Sequence, residues 1–334
     1  MSAPAQEGAR GPRWPALAGH ALPWLLVVVV YFTAGGYLSL GTNVLIMVLF
    51  AVSLDLALGY AGIVTLGHAA FFGFGAYAAG ILATTVWADP LFGLAAATAL
   101  TAAVGFATGV AILHTSGVTL LMLTLAILSL VYEAANQARA LTGGDDGLSI
   151  AIDPLLGLFN FGLWGRTAYI YTAVVLLAWL AVAWRVVHSP FGRSLDGIRQ
   201  NPARMRAIGT PVWWRLVAVY TLSAAMAGTA GALSAQATRF VGLTTLSVHI
   251  SGIVAVMLVL GGTRRIYGAF IGAAIFVVVQ DFAAKIDPAY WMFVVGGMLI
   301  AVVLFLEGGL ISLVDRAHAR LMRPSRPKDT GHVG

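Results

Sequence analysis

Cysteine is absent from the 334-residue chain, which excludes a disulfide, a thiolate metal site and a thiol nucleophile. Charge is nearly as scarce, with 10% Asp, Glu, Lys and Arg against 60% hydrophobic residues and a mean hydropathy of +0.90. A soluble globule of this size needs more polar surface than that to face water. No G-x-x-x-x-G-K-[ST] loop is present, so the chain lacks that cradle for ATP phosphates. His68 has no acid three or four residues away, and a lone imidazole is too little for a metal site or an acid–base pair.

What the chain has is long apolar runs. They fall at 22–41, 43–60, 62–85, 91–113, 117–137, 167–186, 213–236, 244–262, 266–283 and 289–312. At 1.5 Å per residue, a run of about 20 residues crosses a hydrocarbon core about 30 Å thick. The pattern predicts an all-α polytopic membrane protein with about ten spans. The first run has no small-residue cleavage site and reads as a retained span, not a signal peptide. Two runs suit a re-entrant or broken geometry: 62–85, interrupted by Gly62, Gly67, Gly73, Gly75 and Gly80, and the short 266–283.

The net charge of +6 is spread between and beyond these spans, which argues for membrane topology and against nucleic acid. With a cytoplasmic N-terminus, the inside segments collect Arg10, Arg13, Arg185, Arg193, Arg199, Arg204, Arg206, Arg215, Arg264, Arg265, Arg316, Arg320, Arg323, Arg326 and Lys328. Only Arg139, Arg166, Arg239 and Lys285 fall outside. Fifteen of nineteen basic residues inside predict both termini in the cytoplasm. The main domain is then 21–316, with a polar external loop at 138–165 and Pro-, Gly- and Arg-rich tails at 1–20 and 317–334 that are expected to be disordered.

The longest polar break is Ser189 to Gly209, which carries Arg193, Asp196, Arg199, Asn201, Arg204 and Arg206. Leu195 to Ile208, bracketed by Gly192 and Gly209, predicts one short helix, with Pro202 starting or kinking it. From the residues alone this 187–212 loop reads equally as positive-inside topology and as a docking surface. Four acids lie in or at the ends of spans: Asp55, Glu133, Asp281 and Glu307. An ionised carboxylate costs about 2.5–3.5 kcal/mol at a span centre, so each needs a partner or water. Glu133, Asp281 and Glu307 lie near span ends, where they reach the interface. Asp55 lies beside the Gly59-Tyr60-Ala61-Gly62 break and suits either a solute path or a helix contact.

Leu56 to Tyr77, which includes Leu58-Gly-Tyr-Ala-Gly62 and Leu66-Gly-His-Ala-Ala-Phe-Phe-Gly73, resembles the N-L-x-L-G-Y-A-G-x-x-S-L-G-H-A-A-F-F-G-I-G-A-Y motif of branched-chain amino-acid ABC importer permeases of the LivM-like type. Ser189-Pro-Phe-Gly-Arg193 resembles the S-P-F-G-R with which that family opens its cytoplasmic loop. Thr142-Gly-Gly-Asp-Asp-Gly-Leu148 resembles its T-G-G-x-x-G-[LI], and Leu260-Gly-Gly262 with Tyr267-Gly-Ala269 resembles its L-G-G-x-G-S-x-x-G-P. The resemblance covers about residues 40–312. Three positions depart from it: Asp55 stands for Asn, Thr65 for Ser, and Thr263-Arg264-Arg265 for small residues.

The resemblance implies a permease subunit paired with a second, LivH-like permease. It also implies two LivG/LivF-like ATPases that bind ATP and Mg, and a periplasmic solute-binding protein. This chain would bind no cofactor or metal and would sit in lipid in a bacterial inner membrane. Arg193, Asp196, Arg199, Asn201, Arg204 and Gly209 are the implied ATPase-coupling residues. Path candidates are Asp55, Gly59, Tyr60, Gly62, Thr65, His68, Phe72, Gly73 and Tyr77, although small residues in such a segment also serve simple helix packing. The implied solutes are branched-chain amino acids, or relatives such as urea, short amides or aromatic acids. The rival is a stand-alone ion-coupled secondary transporter or channel, which would use Asp55 or Asp281 and pair its broken helices between two halves. The sequence offers no clear second-half counterpart to 62–85.

Overall fold

Wherever the sequence is apolar for a dozen residues or more, the backbone has no polar partner but itself, and it closes its hydrogen bonds as helix. The computed structural model describes residues 35–154 and 165–287, with Val27, Tyr31, Phe32, Met292, Phe293, Gly296, Gly297, Ile300 and Leu304. Helix α1 (Leu38–Leu54) runs on through a π-helical turn at Asp55–Tyr60. It is followed by α2 (Ala69–Thr85), α3 (Pro90–Ile112) and α4 (Val118–Gln137). Next come α5 (Arg166–His188), α6 (Pro190–Gln200) and α7 (Pro202–Ala207). The series ends with α8 (Val212–Thr238), α9 (Val248–Gly261) and α10 (Ile266–Ile286). Among the described residues six helices are long and apolar enough to cross a membrane, while α2 and α9 are apolar but shorter.

Eight of the ten expected spans thus have a helix. Of the expected 22–41 only 27, 31, 32 and 35–41 are described, most of 289–312 lies outside the described residues, and so do both tails and Glu307. Three expectations change. The break before α1 falls at the 3-10 turn Gly35–Tyr37 and not near Gly41, since two adjacent glycines disfavour helix more than one. Residues 62–68 are not helical, so the 62–85 run is a lead-in plus a 17-residue helix. The 266–283 run is neither broken nor re-entrant, because α10 is continuous over 21 residues. The second half also has a short helix with an irregular lead-in, α9 after the 3-10 turn Leu243–Leu246. Serine and threonine around 244–251 conceal it from a search for glycines.

Helix α8 forms the centre and packs on α1, α2 and α3. Its small residues permit this: a Cβ at Gly231 would overlap the Phe72 carbonyl oxygen, and one at Gly228 would overlap the Thr101 side chain. Such contacts bring helices close where lipid tails offer no hydrophobic force between them. Helix α1 is the second buried element, through Val48, Leu49, Phe50 and Ala51. Val118, Met122 and Leu130 of α4 and Val174 and Leu177 of α5 are exposed, an outer apolar face suited to lipid.

The turns segregate into two ends. At one, strands β1 (Leu148–Ser149) and β2 (Phe240–Val241) pair antiparallel, with Leu148 opposite Val241. The Asp153 amide also bonds the Ala88 carbonyl there at 3.1 Å. At the other end, residues 61–64, 113–117, 198–206 and 263 meet around one cavity.

Candidate functional site

The polar segment after α5 folds into two helices, not the single one expected over 195–208. Ser189 accepts the Gly192 amide at 3.3 Å, and Pro190 opens α6. Leu195 and Ile198 are buried while Arg193 and Arg199 face out. The helix stops because Pro202 disfavours helical geometry at Asn201, which is extended at φ −156° and ψ 94°. The same Asn201 then caps α7, its Oδ1 accepting the Arg204 amide at 3.0 Å. Gly209 closes the segment at φ +83°, a conformation that suits glycine. Arg215 of α8 ties α6 down, with Nη1 donating to Ser194 Oγ at 2.7 Å and its guanidinium 5.7 Å from the Phe191 ring centre. Almost all of 201–209 is exposed, so the pair forms a basic projection with an apolar underside.

Beneath it lies the π-helical end of α1. A π turn sets Asp55, Gly59 and Tyr60 toward the 262–265 turn, and such turns recur at functional sites. Asp55 is buried, and its Oδ1 accepts the Arg264 amide at 2.8 Å. The Arg265 amide and the Arg199 and Arg264 charges are also near this carboxylate. Tyr60 Oη donates to the Arg264 carbonyl at 2.9 Å. The Arg264 side chain reaches α6, where Nη2 donates to Asp196 Oδ1. Gly62, at φ +74°, lies under the Arg199 side chain, and a Cβ there would come within 3.0 Å of its Cγ. Asp55, read as either path or contact, is therefore placed in a contact.

These elements border a cavity of about 740 Å³ that includes Gly62, His114, Arg199, Arg206 and Thr263 in its wall and, among the described residues, no carboxylate. The volume falls within the range of small-molecule sites.

The other path candidates are spread through the bundle. Thr65 Oγ1 accepts the Gly67 amide at 3.1 Å and shapes the lead-in to α2. His68 is buried, with Nε2 2.8 Å from Ser53 Oγ and its ring stacked on Phe50 at 5.4 Å. Phe72 packs on Phe50 at 4.7 Å. Gly73 abuts Leu246, whose side chain a Cβ would overlap. Tyr77 lines a separate apolar cavity of about 400 Å³ between α2, α3 and α4. Among the described residues no cluster of metal-ligating side chains occurs.

Sequence reasoning missed Ser53 and Ser251, which hold the start of α2 from α1 and α9, and Ser223, which holds α1 at Ser53 from α8. Ser223 Oγ donates to the Ser53 carbonyl at 2.5 Å, and Ser251 Oγ accepts the Ala69 amide at 2.9 Å. Isolated serines in apolar runs carry no pattern that would single them out. The pairing of Asp55 with Arg264 did leave a trace, since both charge-changing departures from the resembled motifs lie at this one contact.

A family model described as branched-chain amino acid transport system / permease component matches residues 36–303. The chain belongs to this family. As a member of this permease family it is a multi-pass membrane transport subunit of an ABC importer. Alignment to the high-affinity branched-chain amino acid transport system permease protein LivM of Salmonella typhimurium gives 27% identity, over 91% of this chain and 79% of that one. The LivM protein of Escherichia coli K12 is 26% identical over the same shares. The autoinducer 2 import system permease protein LsrC of Klebsiella pneumoniae is 31% identical, over 46% of each chain. No solved structure matches.

Proposed function

We propose that this permease forms half of the translocation pathway of an ATP-driven importer for branched-chain amino acids or a related small solute. A second, LivH-like permease forms the other half. Two LivG/LivF-like ATPases bind ATP and Mg, and a periplasmic protein delivers the solute. The basic α6–α7 projection contacts an ATPase, through Arg193, Asp196, Arg199, Asn201, Arg204 and Gly209. Its end faces the cytoplasm of a bacterial cell, with both termini, because that orientation places fifteen of nineteen basic residues inside.

The observation that carries the reading is the projection itself. The amphipathic helix α6 is fixed to the bundle by apolar residues and Arg215, and with the exposed α7 it offers a charged outer face. That shape couples a partner's movement to the spans beneath. The paired short helices α2 and α9 are the feature that also favours an ion-coupled carrier. Reconstitution separates the two. Uptake of leucine, isoleucine or valine into proteoliposomes should require ATP and all partner subunits, and an Arg199→Ala/Gly209→Val variant should hydrolyse ATP with little uptake. Gradient-driven uptake by this chain alone, or normal ATP-driven uptake by the variant, would sink the reading.

A further inference from the structure

The side chain and backbone of Arg264 are committed to different elements. Its amide and carbonyl are held by Asp55 and Tyr60, at 2.8 and 2.9 Å, on the π-helical end of α1. Its guanidinium is held by Asp196 on α6. The Asp196 carboxylate is aimed by a second bond, Gln200 Nε2 donating to Oδ2 at 3.1 Å. Three residues along the same face of α6, Arg199 lies over Gly62. The helix therefore reaches the end of α1 through Arg264 and touches the chain just past that end directly, at Gly62.

Stability alone accounts poorly for this arrangement. Arg264 adopts φ +65°, a region that non-glycine side chains rarely occupy and that carries strain. The ion pair it makes is half open to solvent, with side-chain exposures of 42% and 34%, and such pairs contribute little to stability. Glycine at 264 would remove the strain and keep both backbone bonds. What glycine would lose is the link to α6.

We propose that Arg264 is a positioning residue that transmits displacement of α6 to the π-helical end of α1, where the chain turns into the irregular lead-in of α2. This rests on the reading of the 187–212 loop as the ATPase contact. Movement of Asp196 pulls the guanidinium, and the two backbone bonds pass the pull to Asp55 and Tyr60. The Gly62 contact with Arg199 keeps the two elements in register.

The test measures solute taken up per ATP hydrolysed by the complete transporter in proteoliposomes. Arg264→Gly should assemble and hydrolyse ATP within about twofold of the parent, with uptake per ATP lowered about fivefold, the scale of one such charge pair. Arg264→Lys should recover much of the ratio. Arg264→Glu and Asp196→Arg should each lower it, and the two together should restore it. A normal ratio in Arg264→Gly, or a charge swap that assembles without recovery, overturns the proposal. If Arg199→Ala/Gly209→Val uncouples transport while Arg264→Gly does not, only this link falls and the loop reading stands. Normal transport in the Arg199 and Gly209 variant removes the loop reading itself.

Discussion

Gly59 lacks a side chain where the Asp55 carboxylate stands, for a Cβ there would overlap Asp55 Oδ1 and lie 3.1 Å from the Arg264 amide. Gly59→Ala should therefore separate that pair. Loss of a hydrogen bond to a buried carboxylate predicts a loss of about 1–3 kcal/mol, read as a lowered Tm in detergent. Asp55→Asn keeps an acceptor for the Arg264 amide and should hold its Tm near the parent, whereas Asp55→Ala should fall with Gly59→Ala. Equal losses for Asn and Ala would mean that the charge, not the acceptor, is what the site requires. His68 sits among Phe50, Phe71 and Ser53. Here His68→Gln should retain uptake because an amide can still meet the serine, while His68→Ala leaves a hole beside two rings and should cost about 2–4 kcal/mol. Abolished uptake in His68→Gln with intact assembly would give the imidazole a direct part in transport.

At the level of elements, two small residues of α8 decide how its neighbours meet it. Gly231 of α8 lets the α2 backbone approach at Phe72, and Gly228 makes room for the Thr101 side chain of α3. Gly231→Val should drive α2 away from the centre and prevent a stable bundle, seen as loss of the folded peak in size-exclusion chromatography. A normal peak and Tm would show that α8 is not the packing centre. The boundary between α6 and α7 depends on Pro202, which keeps Asn201 out of the helical region. With Asn201→Ala/Pro202→Ala the segment should run on as one longer helix and move Arg204 and Arg206 around its axis. Spin labels at Arg193 and Ala203 would report a changed separation, and an unchanged one would show that tertiary contacts alone hold the break.

For the whole molecule, the central question is which end faces which side. Ser149 lies exposed on β1 and Ala203 exposed on α7, at opposite ends of the bundle. In a chain with no cysteine, Ser149→Cys should react with an impermeant reagent from outside and Ala203→Cys only after the membrane is opened. Labelling of both from one side would mean that an even number of crossings, and not α5 alone, separates the two positions.

Composition and apolar periodicity alone determined the all-α membrane class, the eight described apolar helices and the grouping of basic turns, because lipid forces the backbone to satisfy itself within each run. The quoted motifs also pointed to the family. Helix boundaries were legible where proline acts locally, as at Pro90, and were missed at Pro190, where the helix was expected to begin only at Leu195, and where serine and threonine cap, as at α9. Only the tertiary structure decided what Asp55 does. Its partner is a backbone amide 209 residues away in sequence, and no local pattern encodes a distance of that kind. The same holds for His68, whose neighbours come from α1 and α2 together, and for the 740 Å³ cavity assembled from four separate turns. Spacing along a chain specifies which face a residue takes on its own helix, while the packing of small residues against α8 specifies which faces meet.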